Sequence, residues 1–448
     1  MINNYPYLTL LLVLLWPWSA LQAAPAIQDW QMANGARVLF VEAPDLPMVD
    51  VRVVFDAGSA RDGDQLGLAS ITARLLTDGA GDWDADTLAE RLEAVGASIS
   101  ASVDRDMASV AGRSLTDPSA YQIWKETMAA VLSQPTFAEA DLARLRENRL
   151  VGLRRDQQRP GTIAQRALYR QIFGDHPYAE DPVGTIESVA ALTREDLVAF
   201  HERYYVAANA VVAIVGALDR EQADALAERL TSGLPSGTRP PPLPPVPALQ
   251  EGRFEALDFP SSQTHVMIGQ PGMRRGDPDY YPLHVGNHIL GGGGLVSLLA
   301  EEIREKRGLA YSIYSAFVPL AEIGPFVMGL QTRADQADQA RRLVLGTVER
   351  FLAEGPSEQE LEAAIKNITG GFPLRTASNR QIVEYLAVIG FYRLPLDHLD
   401  RFAERVASVT GAQIQDAFAR RIDPDRLAII KVGPVPSAPS EPLAWADD

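Results

Sequence analysis

Residues 232–250 read Ser-Gly-Leu-Pro-Ser-Gly-Thr-Arg-Pro-Pro-Pro-Leu-Pro-Pro-Val-Pro-Ala-Leu-Gln. Proline has no backbone N–H and a fixed φ, so neither a helix nor a central strand runs through such a stretch. It forms a semi-rigid extended spacer, and it divides the 448 residues almost evenly. The two halves then repeat in order. Thr193-Arg194-Glu195-Asp196-Leu197 has the cap and acidic first turn of a helix running to Arg203, and an apolar strand from Ala210 to Val215 ends at Gly216. In the second half, Thr410 opens a helix reaching Arg420, and the strand Leu427–Val432 ends at Gly433. Earlier in each half, a strand (Val49–Phe55; His265–Gly269) leads into an Asp/Gly/Arg loop (Arg61-Asp62-Gly63; Arg275-Gly276-Asp277) and then a helix (Gly67–Leu76; Pro282–Leu290). Four landmarks in register predict duplication of one domain.

Within the first half, Val49–Phe55 alternates as a half-buried strand does, and Leu88–Val95 has helical periodicity. Ala97–Val103 and Ala108–Leu115 read as a hairpin around Asp104-Arg105-Asp106. Long helical patterns follow at Pro118–Leu132 and Glu139–Asp156. Strands followed by runs of helices, twice, predict an α+β fold. The expected segments are 24–231 and 251–434 as the two domains, 232–250 as the linker, and a Pro- and Ser-rich disordered tail at 435–448.

Lys+Arg 41 against Asp+Glu 58 gives a net charge of −17, which repels nucleic acid and argues against a nucleic-acid partner. The same sign suggests an acidic interior favouring basic peptides. Cys at 0 removes disulfides, thiolate zinc sites and Cys nucleophiles. Residues 1–23 carry no charged side chain; the apolar run Leu8–Trp16 is followed by small residues ending at Ala23-Ala24. That pattern predicts a signal peptide, 1–23, and a periplasmic product, with an uncleaved anchor as the alternative. No later stretch is apolar enough to span a bilayer.

Candidate chemistry is sparse. No Gly-x-Ser-x-Gly elbow occurs, and Gly291-Gly292-Gly293-Gly294 lacks the Lys-Ser/Thr of a phosphate loop. It reads as a turn allowing close backbone approach, or as a passage for an extended peptide. His284 and His288 share one helix face at i, i+4 without an intervening carboxylate, and packing is the better account of them than metal. His176 and His201 are isolated. In Glu301-Glu302-Ile303-Arg304-Glu305-Lys306-Arg307-Gly308-Leu309-Ala310-Tyr311, a helix end is stopped by Gly308 before a strand. Arg304 and Tyr311 can converge across that junction, where a guanidinium and a phenol could polarise a carbonyl or stabilise an oxyanion; on spacing alone, a solvated helix end with a half-buried Tyr is the better account.

These residues resemble the M16 peptidases, the family of pitrilysin-like, insulinase-like and mitochondrial processing peptidases. The likeness rests on His-Pro-Tyr at 176–178, Asn-His-Ile-Leu-Gly-Gly-Gly at 287–293, and the Arg304/Tyr311 segment. It implies a clamshell of two homologous domains enclosing a peptide, with Ile99, Ser100 and Gly291–Gly294 among the substrate-binding residues. The family's zinc helix reads Gly-Leu-Ala-His-x-x-Glu-His; here Gly67-Leu68-Ala69 continues with Ser70, Ala73 and Arg74 at the ligand, base and ligand positions. The distal Glu ligand falls around 147–153, where Glu147 is the one carboxylate. No metal and no cofactor is therefore expected in this chain. Arg304 and Tyr311 match the family pair that contacts the scissile peptide. The resemblance implies a non-catalytic subunit whose partner carries zinc on an intact His-x-x-Glu-His helix. An inert peptide-binding or structural protein is the alternative, and a metal enzyme built on His284 and His288 a third.

Overall fold

The computed structural model describes residues 26–434; the expected signal segment and the 435–448 tail lie outside the described residues. The first half opens with strands β1 (Gln28–Gln31), β2 (Arg37–Glu42) and β3 (Met48–Phe55), then helix α1 (Leu68–Leu75). A short ribbon, β4 (Gly79–Ala80) and β5 (Trp83–Asp84), precedes α2 (Ala85–Glu93) and the hairpin β6 (Ser98–Val103) with β7 (Ala108–Leu115). Helices α3 (Pro118–Ser133), α4 (Glu139–Asp156), α5 (Pro160–Phe173), α6 (Ile186–Ala191) and α7 (Arg194–Tyr204) follow. Strand β8 (Ala210–Gly216) and helix α8 (Arg220–Thr231) end the half.

The second half runs β9 (Arg253–Asp258), β10 (Gln263–Pro271), α9 (Tyr280–Asn287), β11 (Ala310–Phe317) and β12 (Pro325–Arg333). Helices α10 (Ala337–Glu354), α11 (Glu358–Gly371), α12 (Asn379–Phe391), α13 (Phe402–Ala407) and α14 (Gly411–Arg421) lead to β13 (Ala428–Gly433). Among the described residues no helix is long and apolar enough to cross a membrane.

The duplication is legible in the sheets. The first has order β1-β2-β8-β3-β7-β6 and the second β9-β13-β10-β12-β11. Setting β1 aside, the orders superpose strand for strand, including the parallel pairs β2/β8 and β9/β13 beside antiparallel neighbours. Thr193 and Thr410 each close a capping box, with Asp196 and Gln413, ahead of the repeated helix and strand. The fold is α+β, two domains of like topology forming a clamshell.

What the sequence did not reveal is how the halves interlock. Odd-numbered residues of β3, Val49 to Phe55, face a core made with helices of their own half. The opposite face of that sheet is covered by α12: Val383, Leu386, Ala387 and Ile389 pack on Leu39, Val54, Val211 and Ala213. Reciprocally, α5 of the first half covers the second sheet, placing Leu168, Ile172 and Phe173 against Met267, Val327, Ile430 and Val432. Close approach demands Gly390, where a Cβ would stand 2.5 Å from Val211 Cγ1 and 2.8 Å from Leu39 Cδ1. Burial on both faces explains why β8 is apolar throughout rather than alternating.

The hairpin turn Asp104-Arg105-Asp106 is the other clasp. The Asp106 carboxylate accepts from Tyr178 Oη of its own half, and from the Ala321 N–H and Tyr392 Oη of the other half, both at 2.8 Å. Burial pushes its pKa up. Arg105 donates to the Tyr178 and Glu180 carbonyls and lies 4.1 Å over the Tyr169 ring. His176 Nε2 reaches the Pro244 carbonyl at 2.9 Å while its Nδ1 accepts the Tyr178 N–H, so His-Pro-Tyr pins the linker.

Because each sheet is finished by a helix of the other half, unfolding is expected to be one transition. Leu386→Ala, at a fully buried position of α12, should cost about 2–5 kcal/mol and shift far-ultraviolet circular dichroism and tryptophan fluorescence together in urea. Separate midpoints for the two probes would mean that the halves stand alone.

Candidate functional site

Helix α1 is where the family's metal helix would lie. Its start is organised by Asp62, whose buried carboxylate accepts the Gly67 and Ala69 N–H groups at 2.8 Å each. Burial pushes this carboxyl up to about 7 against those two hydrogen bonds. Gly67 stands at φ +91°, with a Cβ position 3.0 Å from the Val183 carbonyl, so glycine is needed there. One turn on, Ser70 and Ala73 are buried, and Arg74 turns outward to Asp78 at 2.6 Å. From α4, Arg149 Nη2 donates to Ser70 Oγ at 3.1 Å. Burial pushes that guanidinium's pKa down. Glu147, the one carboxylate expected near the distal position, is exposed.

The donor set is thus a hydroxyl already holding a guanidinium, a methyl group and a second guanidinium. It does not fit a zinc ion, which needs neutral imidazole or anionic ligands. Among the described residues no group of three His, Asp or Glu is placed to hold a metal.

The histidines take structural places. His201 Nε2 meets the Leu132 carbonyl at 2.9 Å. His284 stacks on Tyr280 with ring centroids 5.6 Å apart, and His284 and His288 leave their Nε2 atoms buried without a hydrogen-bond partner. Burial first, then the Arg375 charge, lowers both, His284 to about 4. A neighbouring guanidinium that repels a proton also repels a metal cation.

The second half holds the other candidate. After α9 the chain widens into i→i+5 turns, with Gly293 N–H bonded to the His288 carbonyl at 2.8 Å, so the predicted helix to Leu290 ends at Asn287. The glycines permit this. A Cβ on Gly291 would lie 2.5 Å from Ser315 Oγ. Asn287 clamps the same strand, its Oδ1 accepting from Ser315 Oγ at 2.7 Å. Gly294 stands at the surface beside the exposed Leu295 and Val296. A second wide turn covers Ala300–Glu305, and Gly308 at φ +61° sends the chain into β11.

Arg304 and Tyr311 are brought together by that junction, the guanidinium carbon 5.0 Å from the ring centroid. Glu302 is taken up by Lys306 and Arg307, each at 2.6 Å, which leaves Glu305 at 3.4 Å as the carboxylate beside Arg304. The β11/β12 register breaks between Ala310 and Ile313, and such a bulge re-aims side chains. Tyr311 is 84% exposed on this edge strand. Ile99 and Ser100 lie on β6, the edge of the first sheet, with Ser100 exposed and Ile99 half-buried.

Two family models match in succession: Insulinase (Peptidase family M16) over residues 37–185, and Peptidase M16 inactive domain over 191–368. The crystal structure of a peptidase M16 inactive domain from Pseudomonas fluorescens superposes with TM-score 0.89 at 38% identity, covering 91% of this chain and 98% of that one. The chain belongs to peptidase family M16. An uncharacterized zinc protease of Streptomyces coelicolor is 25% identical over 415 residues, 90% of this chain and 89% of that protein. A non-peptidase homolog of Helicobacter pylori is 28% identical over 403 residues, 86% and 89% of the two chains.

For this M16 chain, metal analysis after purification should find no stoichiometric zinc. The His284 imidazole should stay neutral down to about pH 5, read from its proton resonances. With a folded pKa of about 4 below the unfolded value of about 6.5, its contribution to stability is complete above about pH 6.5 and lost as pH falls towards 4. One zinc per chain, abolished by His284→Ala, would reverse the assignment.

Proposed function

We propose that this M16 chain is the non-catalytic subunit of a heterodimeric zinc peptidase, contributing Arg304, Tyr311 and part of the peptide chamber. The observation that carries the reading is the Arg304–Tyr311 contact on an exposed, bulged edge strand, in a chain whose α1 offers no metal ligands. A partner with an intact His-x-x-Glu-His helix would supply the metal chemistry. On this chain, the guanidinium and the phenol would donate hydrogen bonds to a substrate carbonyl and hold it while charge develops on its oxygen. The short uncharged segment at residues 1–23 supports export to the periplasm, and N-terminal sequencing should find Ala24 or Pro25 first; an intact Met1 in the membrane fraction would mean an anchor.

A second reading, an inert peptide-binding protein, is favoured by the names of the relatives, an inactive domain and a non-peptidase homolog. Reconstitution with the zinc subunit separates the two. Tyr311→Phe keeps the ring under Arg304 and removes only the hydroxyl, so assembly should be unchanged. Loss of one such donor should lower kcat by roughly 10²–10³, about 2.7–4 kcal/mol. Normal assembly with undiminished turnover would make the pair structural and move the inert reading ahead.

A further inference from the structure

Helix α12 packs its apolar side on β2, β8 and β3, and beyond these the same face of the sheet continues onto β7 and β6. From β3 across these strands the register aligns Asp50 with Arg113 and Ser98, and Arg52 with Ala111 and Ser100. The result is a polar wall facing α12. Two cavities of about 430 and 400 Å³ lie along it and share Arg52 and Glu384. One section of this groove lies beside β6 and the other at the tip of its hairpin, where the two halves meet, and the Arg52–Glu384 pair lines both.

The charge in this groove is opposite to that of the chain. Five guanidinium groups (Arg52, Arg105, Arg113, Arg275, Arg380) face three carboxylates (Asp50, Asp104, Glu384). Asp50 is committed to Arg113, at 2.9 and 3.1 Å. Glu384 is shared loosely, 3.8 Å from Arg52 and 3.9 Å from Arg380. Asp104 accepts the Asp106 and Met107 N–H groups, and burial pushes its pKa up. Arg275 makes no ion pair among the described residues, and its buried Nε has no hydrogen-bond partner.

An extended peptide added to the free edge of β6 would send alternate side chains to opposite faces, one set over α1 and the next into this groove. We propose that the groove selects acidic side chains at alternate positions of an extended peptide lying on β6, an inference that rests on the peptide-binding function above. It replaces the basic-peptide preference that the net charge of −17 suggested, because a sum over the chain does not describe one groove.

Fluorescein-labelled peptides of alternating Thr-Glu, Thr-Gln and Thr-Lys, compared by anisotropy on the purified chain, test this. The Thr-Glu peptide should bind about tenfold or more tightly than Thr-Lys at low salt and lose that margin at high salt. Arg52→Gln should narrow the margin several-fold, and so should Arg380→Gln, whose largely exposed side chain makes it harmless to folding. Binding of all three peptides with equal affinity, or a margin untouched by both substitutions, overturns the acidic preference and leaves the peptide-binding function standing. Failure of every peptide to bind overturns the groove as a peptide site, while the subunit function is decided separately by the Tyr311→Phe reconstitution.

Discussion

Each sheet of this protein is sealed by a helix that belongs to the other half, and the rest of the structure depends on that exchange. Without α12, Leu39, Val54, Val211 and Ala213 would face water; without α5, so would Met267, Ile430 and Val432. Apolar burial is worth roughly 25 cal/mol per Å², so two such layers outweigh any single polar contact at the seam. The polar contacts fix geometry instead. Asp106 gathers one phenol from each half and an N–H from the second. A half-satisfied carboxylate in that position would cost more than it contributes. The clamshell is thereby held at one angle, and the edge strands β6 and β11 are presented from a rigid frame.

Helix α1 has a firmly organised start but no set of side chains that suits a metal. Asp62 organises the first turn, and Gly67 lets the helix pass the Val183 carbonyl. Where imidazoles would stand, Ser70 receives Arg149 from α4, and Arg74 is drawn off to Asp78. A guanidinium against Ser70 supplies positive charge to the place a cation would take. Placing imidazoles and a carboxylate on α1 alone would leave that charge in the way.

The repeat was legible because it is carried by local signals. Thr193 and Thr410 mark helix starts, the apolar strands ending at Gly216 and Gly433 mark strand ends, and the proline run marks the division; a few neighbouring residues suffice for each. The convergence of Arg304 and Tyr311 was legible too, since seven residues across one turn leave little freedom. The exchange of α5 and α12 was not. Periodicity shows that a helix has an apolar face but not which sheet that face will meet. Arg149 was hidden for the same reason: it meets Ser70 only through the packing of α4 on α1. The Asp104-Arg105-Asp106 turn had the composition of a solvent-exposed loop. Only the approach of Ala321 and Tyr392 makes it a buried junction.

Magnitudes separate what the fold requires from what it merely carries. An exposed cation–π contact is worth about 0.5–1 kcal/mol, and an exposed ion pair such as Arg304–Glu305 has a median of about 0–1 kcal/mol. Neither is enough to explain a tyrosine left 84% exposed on a bulged edge strand. A smaller polar residue would serve stability there equally well, and it would remove an aromatic ring from water. The glycines behind it differ, because Gly291 is needed for the chain to pass Ser315 at all. Packing therefore accounts for Gly291 but not for the phenol. What the phenol and its guanidinium have in common is the ability to donate hydrogen bonds.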